Sequence, residues 1–234
     1  MVMDLRQRGS WLAHLLKAAT QQHHKELIPL FAPLVPRDAV VLDVGAHAGQ
    51  FAKLFAKMAP EGRVYAFEPS AYARSILGPA LRWNAIANVV VVTDGLSDQP
   101  GEAVLQTPIT RKGHLGFGRA HVGAREEAGA VAQTIRLTTL DAFAEAQGLA
   151  RLDFIKADVE GWELNVLKGG VATLKRFHPA LFLEVSDDWL GRAGAAPQDL
   201  WALLTPLGYR AFKSPGREPA PAYAAPADYL FLVE

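Results

Sequence analysis

The sequence predicts an α/β protein: a mostly parallel sheet of seven strands, with an antiparallel strand at its C-terminal end and helices on both faces. Three observations carry this. Strand-like and helix-like segments alternate from residue 40 onward, which implies parallel strands joined by right-handed crossovers. The last two strand-like segments, GYRAFKS (208–214) and DYLFLVE (228–234), have no helix between them, as an antiparallel pair requires. The chain has 234 residues and is 50% hydrophobic, enough to bury one sizeable core.

Residues 1–36 read as an N-terminal helical extension ahead of a single domain over 37–234. In the extension Ser10 is a candidate N-cap, and Trp11, Leu12, Leu15 and Leu16 would share one helix face. His23 and His24 are expected at the surface. VVLDVGA (40–46) is apolar and β-branched, as suits a strand buried on both faces. AGQFAKLFAKM (48–58) spaces Phe51, Leu54, Phe55 and Met58 as a helix does. RVYAFEP (63–69) is a second strand, 71–84 a helix, and NVVVVTDGLSD (88–98) opens with a third buried strand.

The rhythm then breaks. Residues 99–133 are rich in glycine and polar groups, and an excursion is expected there, with a short strand at 103–106 and a mobile, lid-like loop. TIRLTTLDAFAEA (134–146) gives a short strand and a helix capped by Thr139. LDFIKADVEG (152–161) is a strand running into a polar loop. WELNVLKGGVATLKRF (162–177) is a helix weakened or kinked at Gly169 and Gly170. PALFLEVS (179–186) is a strand and 197–206 a helix. A proline-rich loop at 214–227 separates the two final strands.

Lys plus Arg and Asp plus Glu both number 24, so no global field draws the chain to nucleic acid or an anionic membrane. The absence of cysteine excludes disulfides, zinc–thiolate sites and cysteine nucleophiles, and fits a cytoplasmic location. No apolar run approaches the roughly 18–20 residues of a membrane-spanning helix. The N-terminal apolar patch is interrupted by His14 and Lys17 and reads as an ordinary helix rather than a targeting segment.

In a parallel sheet, ligands bind at the carboxyl ends of strands, where strand order reverses. This singles out Asp43 to Gly49, Glu68, Asp94 to Ser97, Asp158 to Gly161, and Glu184. A dinucleotide loop, G-x-G-x-x-G, fails here: counted from Gly45, its second and third glycines fall on His47 and Gln50. A phosphate-binding G-K-[ST] is also missing. What is left is D-x-G-x-x-x-G, from Asp43 through Gly45 to Gly49. Asp43 would repel a pyrophosphate and attract a cationic amine or sulfonium. Glu68 falls 23 residues after Gly45, near the spacing of about 20 at which an acid accepts hydrogen bonds from ribose hydroxyls. A helix cap at Asp43 and a solvated strand end at Glu68 would explain either acid alone. Together they favour S-adenosylmethionine, a nucleoside with a sulfonium and an amino acid but no phosphate.

LDVGAHAGQF (42–51), VYAFEP (64–69) and FIKADVEGWELNVLKGG (154–170) resemble the FkbM family of S-adenosylmethionine-dependent methyltransferases. In that family the fourth main strand ends in a pattern like K-x-D-x-E-G-x-E, followed by V-L-x-G. Lys156, Asp158, Glu160, Gly161, Glu163, Leu167, Gly169 and Gly170 match it. The resemblance spans roughly residues 38–186; the N-terminal helix and 187–234 match only in general architecture. It implies a Rossmann-like class I methyltransferase fold. It implies too that Asp43, Gly45, Ala46 and Gly49 cradle the methionine part and that Glu68, with Pro69 beside it, meets the ribose. Gly95 and Leu96 would contact adenine. His47 is expected near the methionine carboxylate. Asp94 would either hydrogen-bond the adenine amine or occupy a solvated turn.

Methyl transfer to a hydroxyl needs an acceptor in line with the sulfonium methyl, exclusion of water and, for an unactivated alcohol, a base. Asp158 ends a strand beside the expected cofactor and is the leading catalytic candidate. Glu160 could touch the acceptor or stand behind Asp158. Glu163 is explained by its place in a first helical turn. Glu184 could close the acceptor pocket or pair with Lys156. His114, in the excursion, could be a base on a lid or simply an exposed side chain. The carboxylates at 158, 160 and 184 do not demand a metal by their spacing, and none is expected.

The expected reaction is O-methylation of a hydroxyl on a small molecule, sugar or glycan, releasing S-adenosyl-L-homocysteine. Two alternatives stay open: an N-methyltransferase, and a non-catalytic nucleoside-binding protein of the same fold. The first often carries [ND]-P-P-[YF] after the fourth strand, and Asp158-Val159-Glu160-Gly161 lacks the prolines. Neutral charge disfavours a nucleic-acid substrate. Trp11 and Leu15 would serve either a homodimer interface or packing within the chain.

Overall fold

The computed structural model describes residues 5–108, 121–123 and 129–233. Helices α1 (Leu5–Thr20) and α2 (Ile28–Phe31) precede β1 (Val40–Val44). Then come α3 (Gln50–Met58), β2 (Arg63–Phe67), α4 (Ala71–Trp83) and β3 (Val89–Val92). Four strands follow: β4 (Gly95–Leu96), β5 (Gly101–Pro108), β6 (His121–Gly123) and β7 (Ala130–Thr138). Next are α5 (Leu140–Ala146), β8 (Phe154–Ala157), α6 (Glu163–Lys168), α7 (Val171–Phe177) and β9 (Ala180–Val185). The chain goes on through α8 (Asp187–Arg192), α9 (Pro197–Leu204), β10 (Tyr209–Lys213), β11 (Glu218–Pro219) and β12 (Ala227–Val233).

The main sheet has the order β11-β10-β12-β9-β8-β1-β2-β3. From β9 to β3 its strands run parallel, and β12 lies antiparallel between β9 and β10. The seven expected strands are all present; the two-residue β11 adds an eighth at the edge. β3 is not the buried strand its four valines suggested. It is the other edge, with all four residues only half-buried. Strand order reverses between β1 and β8, and that is where a ligand site belongs.

Period-2 alternation divides the core into two layers. Leu42, Val44, Ile155 and Ala157 face a layer built with α5, α6, α7 and α9. Val41 and Phe154 face the opposite layer, where Phe31 of α2, Phe51 and Phe55 of α3, and Leu77 of α4 pack. The helix expected over 162–177 is broken into α6 and α7 at Gly169–Gly170. Thr139 caps α5 through the Ala142 N–H, at 3.0 Å. The short α8 is an addition to the expected elements.

Two expectations need correction. Ser10 lies inside α1 rather than at its N-cap. Trp11, Leu15 and Ala18 pack on Tyr72, Ile76 and Ala80 of α4, whereas Leu12 and Leu16 stand 56% and 57% exposed. Positions 12 and 16 are rotated about 100° from 11 and 15 around the helix, beyond the narrow seam that α4 offers. The described residues of the excursion also carry more strand than expected, and the expected mobile loop falls on 109–120 and 124–128, outside the described residues. β4, β7, β5 and β6 form a second, four-stranded sheet, in which β5 and β7 pair over eight positions from Gly101↔Leu137 to Pro108↔Ala130. No helix among the described residues is long and apolar enough to cross a membrane.

Candidate functional site

The loops after β1 and β8 meet at the point of strand reversal. Gly45 has φ +78°, and a Cβ there would lie 2.0 Å from the Asp158 carbonyl oxygen. Only glycine combines that left-handed backbone with so close an approach. The Gly45 and Ala46 N–H groups donate to the Phe67 carbonyl at 3.1 and 3.0 Å, which ties the loop to the end of β2. His47 is also left-handed, with φ +49°.

Beneath this loop sits Lys156. Its buried ammonium donates to the carbonyls of Val44 (3.2 Å) and Gly45 (2.9 Å). It pairs with Asp43 at 3.3 Å and Asp158 at 3.6 Å, and stands 5.2 Å over the Phe51 ring. Burial alone would lower its pKa, but the two carboxylates more than offset that, and the pKa is raised.

Asp43 is fully buried, and burial pushes its carboxyl up despite Lys156. It lines neither of the cavities described below. Side chains alternate across a strand, and position 43 points under the loop, where Asp43 holds Lys156.

Glu68 ends β2 almost completely buried. Its Oε2 accepts the His47 N–H at 2.7 Å and its Oε1 the Ser70 N–H at 2.8 Å. Burial pushes its pKa up, partly opposed by His47 and these hydrogen bonds. The two donors fix the plane of the carboxylate and leave each oxygen further acceptor capacity toward the cavity it lines.

Asp158 and Glu184 form a coupled acid pair. Burial, then Asp158, Glu160 and Glu163, push Glu184 up to about 9. Burial also acts on Asp158, but Lys156 and the hydrogen bond from Glu184 outweigh it, and its pKa is lowered. At neutral pH Glu184 therefore carries the proton and donates to the Asp158 carboxylate. Glu184 pairs with Asp158 rather than with Lys156. Asp228 lies opposite Glu184 in the sheet, and burial with Asp158 nearby raises it to about 6. Glu163 is tied back into the loop: its Oε1 accepts the N–H groups of Val159 (2.9 Å) and Gly161 (3.3 Å), and burial lifts it to about 7.

Two cavities meet at Gly45, His47 and Asp158. The first runs past Glu68 and Pro69 to Gly95 and Leu96. Its apolar far wall is made by Leu105, Ile135, Leu137 and Trp162. Three of these come from the second sheet: Leu105 from the expected excursion, and Ile135 and Leu137 from the short strand expected to begin at 134. The signal available was the spacing of Ile135 and Leu137 on one strand face, blurred by Ala, Gln and Thr around them. The second cavity holds Ala46 and is walled by His14, Lys17, His23 and His24. His24 stacks on Phe51 (4.2 Å, 12°), so His23 and His24 line a cavity rather than a plain surface.

Three other candidates among the described residues line neither cavity. Asp94 pairs with Arg136 at 3.0 Å. Gly49, with φ +84°, is the N-cap of α3. Glu160, at φ +55°, is in neither wall; its charge is felt by Glu184. His114 lies outside the described residues. Among the described residues no group of acids and histidines is arranged to hold a metal ion.

A family model described as the methyltransferase FkbM domain matches residues 43–211. The chain belongs to the FkbM methyltransferase family. It is similar to the methyltransferase sdnD of Sordaria araneosa, 30% identical over 201 residues and covering 75% of each chain. It is similar also to the 2-O-methyltransferase NoeI of Sinorhizobium fredii, 27% identical over 205 residues, 81% of this chain and 80% of that one. The AMB antimetabolite synthetase AmbE of Pseudomonas aeruginosa is 32% identical over 207 residues; the chain spans 10% of that relative's length. A crystal structure of methyltransferase FkbM from Methylobacillus flagellatus KT matches with TM-score 0.53 at 16% identity, over 94% of this chain and 58% of that one. The fold is that of the Rossmann-like methyltransferases, and this FkbM protein is a methyltransferase.

Proposed function

We propose that this methyltransferase uses S-adenosylmethionine to methylate a hydroxyl oxygen on a small molecule, sugar or glycan. The observation that carries the reading is Glu68: a buried carboxylate, held by two backbone N–H groups, facing a cavity at the sheet's switch point. Such a group suits a ribose diol. The apolar wall of Leu96, Leu105, Ile135 and Leu137 suits a flat adenine, and Asp158 at the junction suits a cationic amine or sulfonium. The donor set fits this cofactor, and its acids do not fit a pyrophosphate. When bound, the cofactor supplies an electrophilic methyl group on positively charged sulfur.

The chain's own residues do the rest. Gly45 and His47 position, and the second sheet covers the adenine end and excludes water. Asp158, at the junction of the cavities, orients the acceptor hydroxyl and takes its proton as the new bond forms. Glu184 donates to Asp158 and fixes the direction of the carboxylate. The name of NoeI as a 2-O-methyltransferase supports oxygen as the acceptor atom.

Calorimetry with S-adenosylhomocysteine tests this. Glu68→Ala is expected to weaken binding on the order of a hundredfold, from lost charge-assisted hydrogen bonds. Asp158→Asn is expected to weaken binding about tenfold, through the lost charge facing the amine, and to lose turnover at saturating cofactor by a factor of about 10²–10⁴. Undiminished binding in Glu68→Ala would refute the site, and undiminished turnover in Asp158→Asn would refute the base.

A further inference from the structure

The second cavity, of ≈ 290 Å³, opens beside the loop after β1, and its outer wall comes from residues 14–24. These residues precede the stretch 43–211 that the family model matches. It is nevertheless fastened to that domain. The Lys53 ammonium, buried in α3, donates to the carbonyls of Ala18 and, at 2.8 Å, Gln21, closing off the C-terminal end of α1. Asn84 Nδ2 donates to the Ala19 carbonyl at 2.9 Å, and Trp11 Nε1 to Ser75 Oγ at 2.9 Å. Gln22 Nε2 donates to the Gln50 carbonyl at 2.8 Å, holding the turn that carries His23 and His24 against α3. The helix therefore presents a fixed face to the cavity.

The charge on the cavity wall is divided. Among the described residues Asp158 is its single acid, at the inner end next to Gly45 and His47. Lys156 is there too, but its charge is met by Asp43 and Asp158. The outer wall holds Lys17 and His14, one helical turn apart on α1, with His23 and His24 beyond them. Among the described residues no carboxylate pairs with Lys17. The His14 ring is oriented by Tyr72, whose hydroxyl lies 3.1 Å from Nδ1. An acid at one end and a cation with an imidazole at the other complement a zwitterion.

We propose that Lys17 and His14 form a carboxylate-binding site that completes the cofactor pocket, gripping the α-carboxylate of the methionine part while Asp158 faces its amine. This rests on the S-adenosylmethionine reading above. It gives α1 a part in ligand binding as well as in packing.

Two ligands separate the contributions: S-adenosylhomocysteine, and 5′-methylthioadenosine, which keeps the nucleoside and sulfur but has no carboxylate. Their affinities would be measured by calorimetry for the full chain and for Lys17→Ala, His14→Ala and Lys17→Arg. Lys17→Ala and His14→Ala are expected each to weaken S-adenosylhomocysteine about tenfold and to leave 5′-methylthioadenosine within about twofold, with Lys17→Arg close to wild type. Equal weakening of both ligands, or of neither, would overturn the carboxylate site. So would an unchanged ratio accompanied by a raised KM for the acceptor, which would put the anion on the acceptor. Wild-type protein that binds neither compound would refute the cofactor reading itself, and this proposal with it.

Discussion

Glu184 and Asp158 show how one proton is placed by surroundings rather than by residue type. Both are carboxyls; burial acts on both, yet Lys156 favours the charged form only at Asp158. The consequence for stability has a definite sign. Glutamate released by unfolding titrates near 4.5, and folded Glu184 near 9. Between those values the folded chain holds a proton that the unfolded chain has lost, so rising pH favours unfolding. The lowered pKa of Asp158 acts below its ordinary 3.8, outside this window. Glutamine at 184 keeps a donor for Asp158 and has no proton to lose. Glu184→Gln is therefore expected to melt with wild type at about pH 5 and several degrees above it by about pH 9. Thermal melts across that range check this, and a gap independent of pH would contradict it.

At the scale of the element, the loop after β1 is the part least tolerant of change. Gly45→Ala places a methyl against the Asp158 carbonyl and demands a left-handed backbone from alanine. A loss of about 2–4 kcal/mol is expected, measured by urea unfolding, together with loss of S-adenosylhomocysteine binding. The sequence announced this loop because glycines and acids at strand ends have few other uses. It did not announce which way Asp43 points. The choice between under the loop and into the cavity depends on Lys156, more than a hundred residues away. The same limit hid the second sheet. β5 and β7 turn one face to the first cavity instead of a core, so their alternation is diluted by small and polar residues. The role of α1 was hidden differently: its seam on α4 spends Trp11 and Leu15 and turns His14 and Lys17 to the cavity, a division that periodicity alone does not assign.

At the scale of the molecule, the switch between β1 and β8 organises everything else. The cavity toward β2 is built of sheet ends and the added sheet, and the cavity toward α1 of helix side chains. The alternating pattern made the main sheet legible because its central strands β1, β8 and β9 are buried on both faces, and the closing antiparallel pair was legible because no helix separates the two segments. Which strand would lie between which was not written there.

The placement of β12 bears on how the protein forms during synthesis. β12 pairs with β9 on one side and β10 on the other, and Tyr229, Leu230 and Phe231 are buried there. β9 and β10 both leave the ribosome earlier, and until residues 227–233 follow, each exposes a bare edge with unpaired backbone groups. β8, β1, β2 and β3 pair with one another without β12, which adds Leu230 to the core layer of Val41 and Phe154. The nascent chain can thus pair β8, β1, β2 and β3 first, while the edges of β9 and β10 wait for the strand that zips them together.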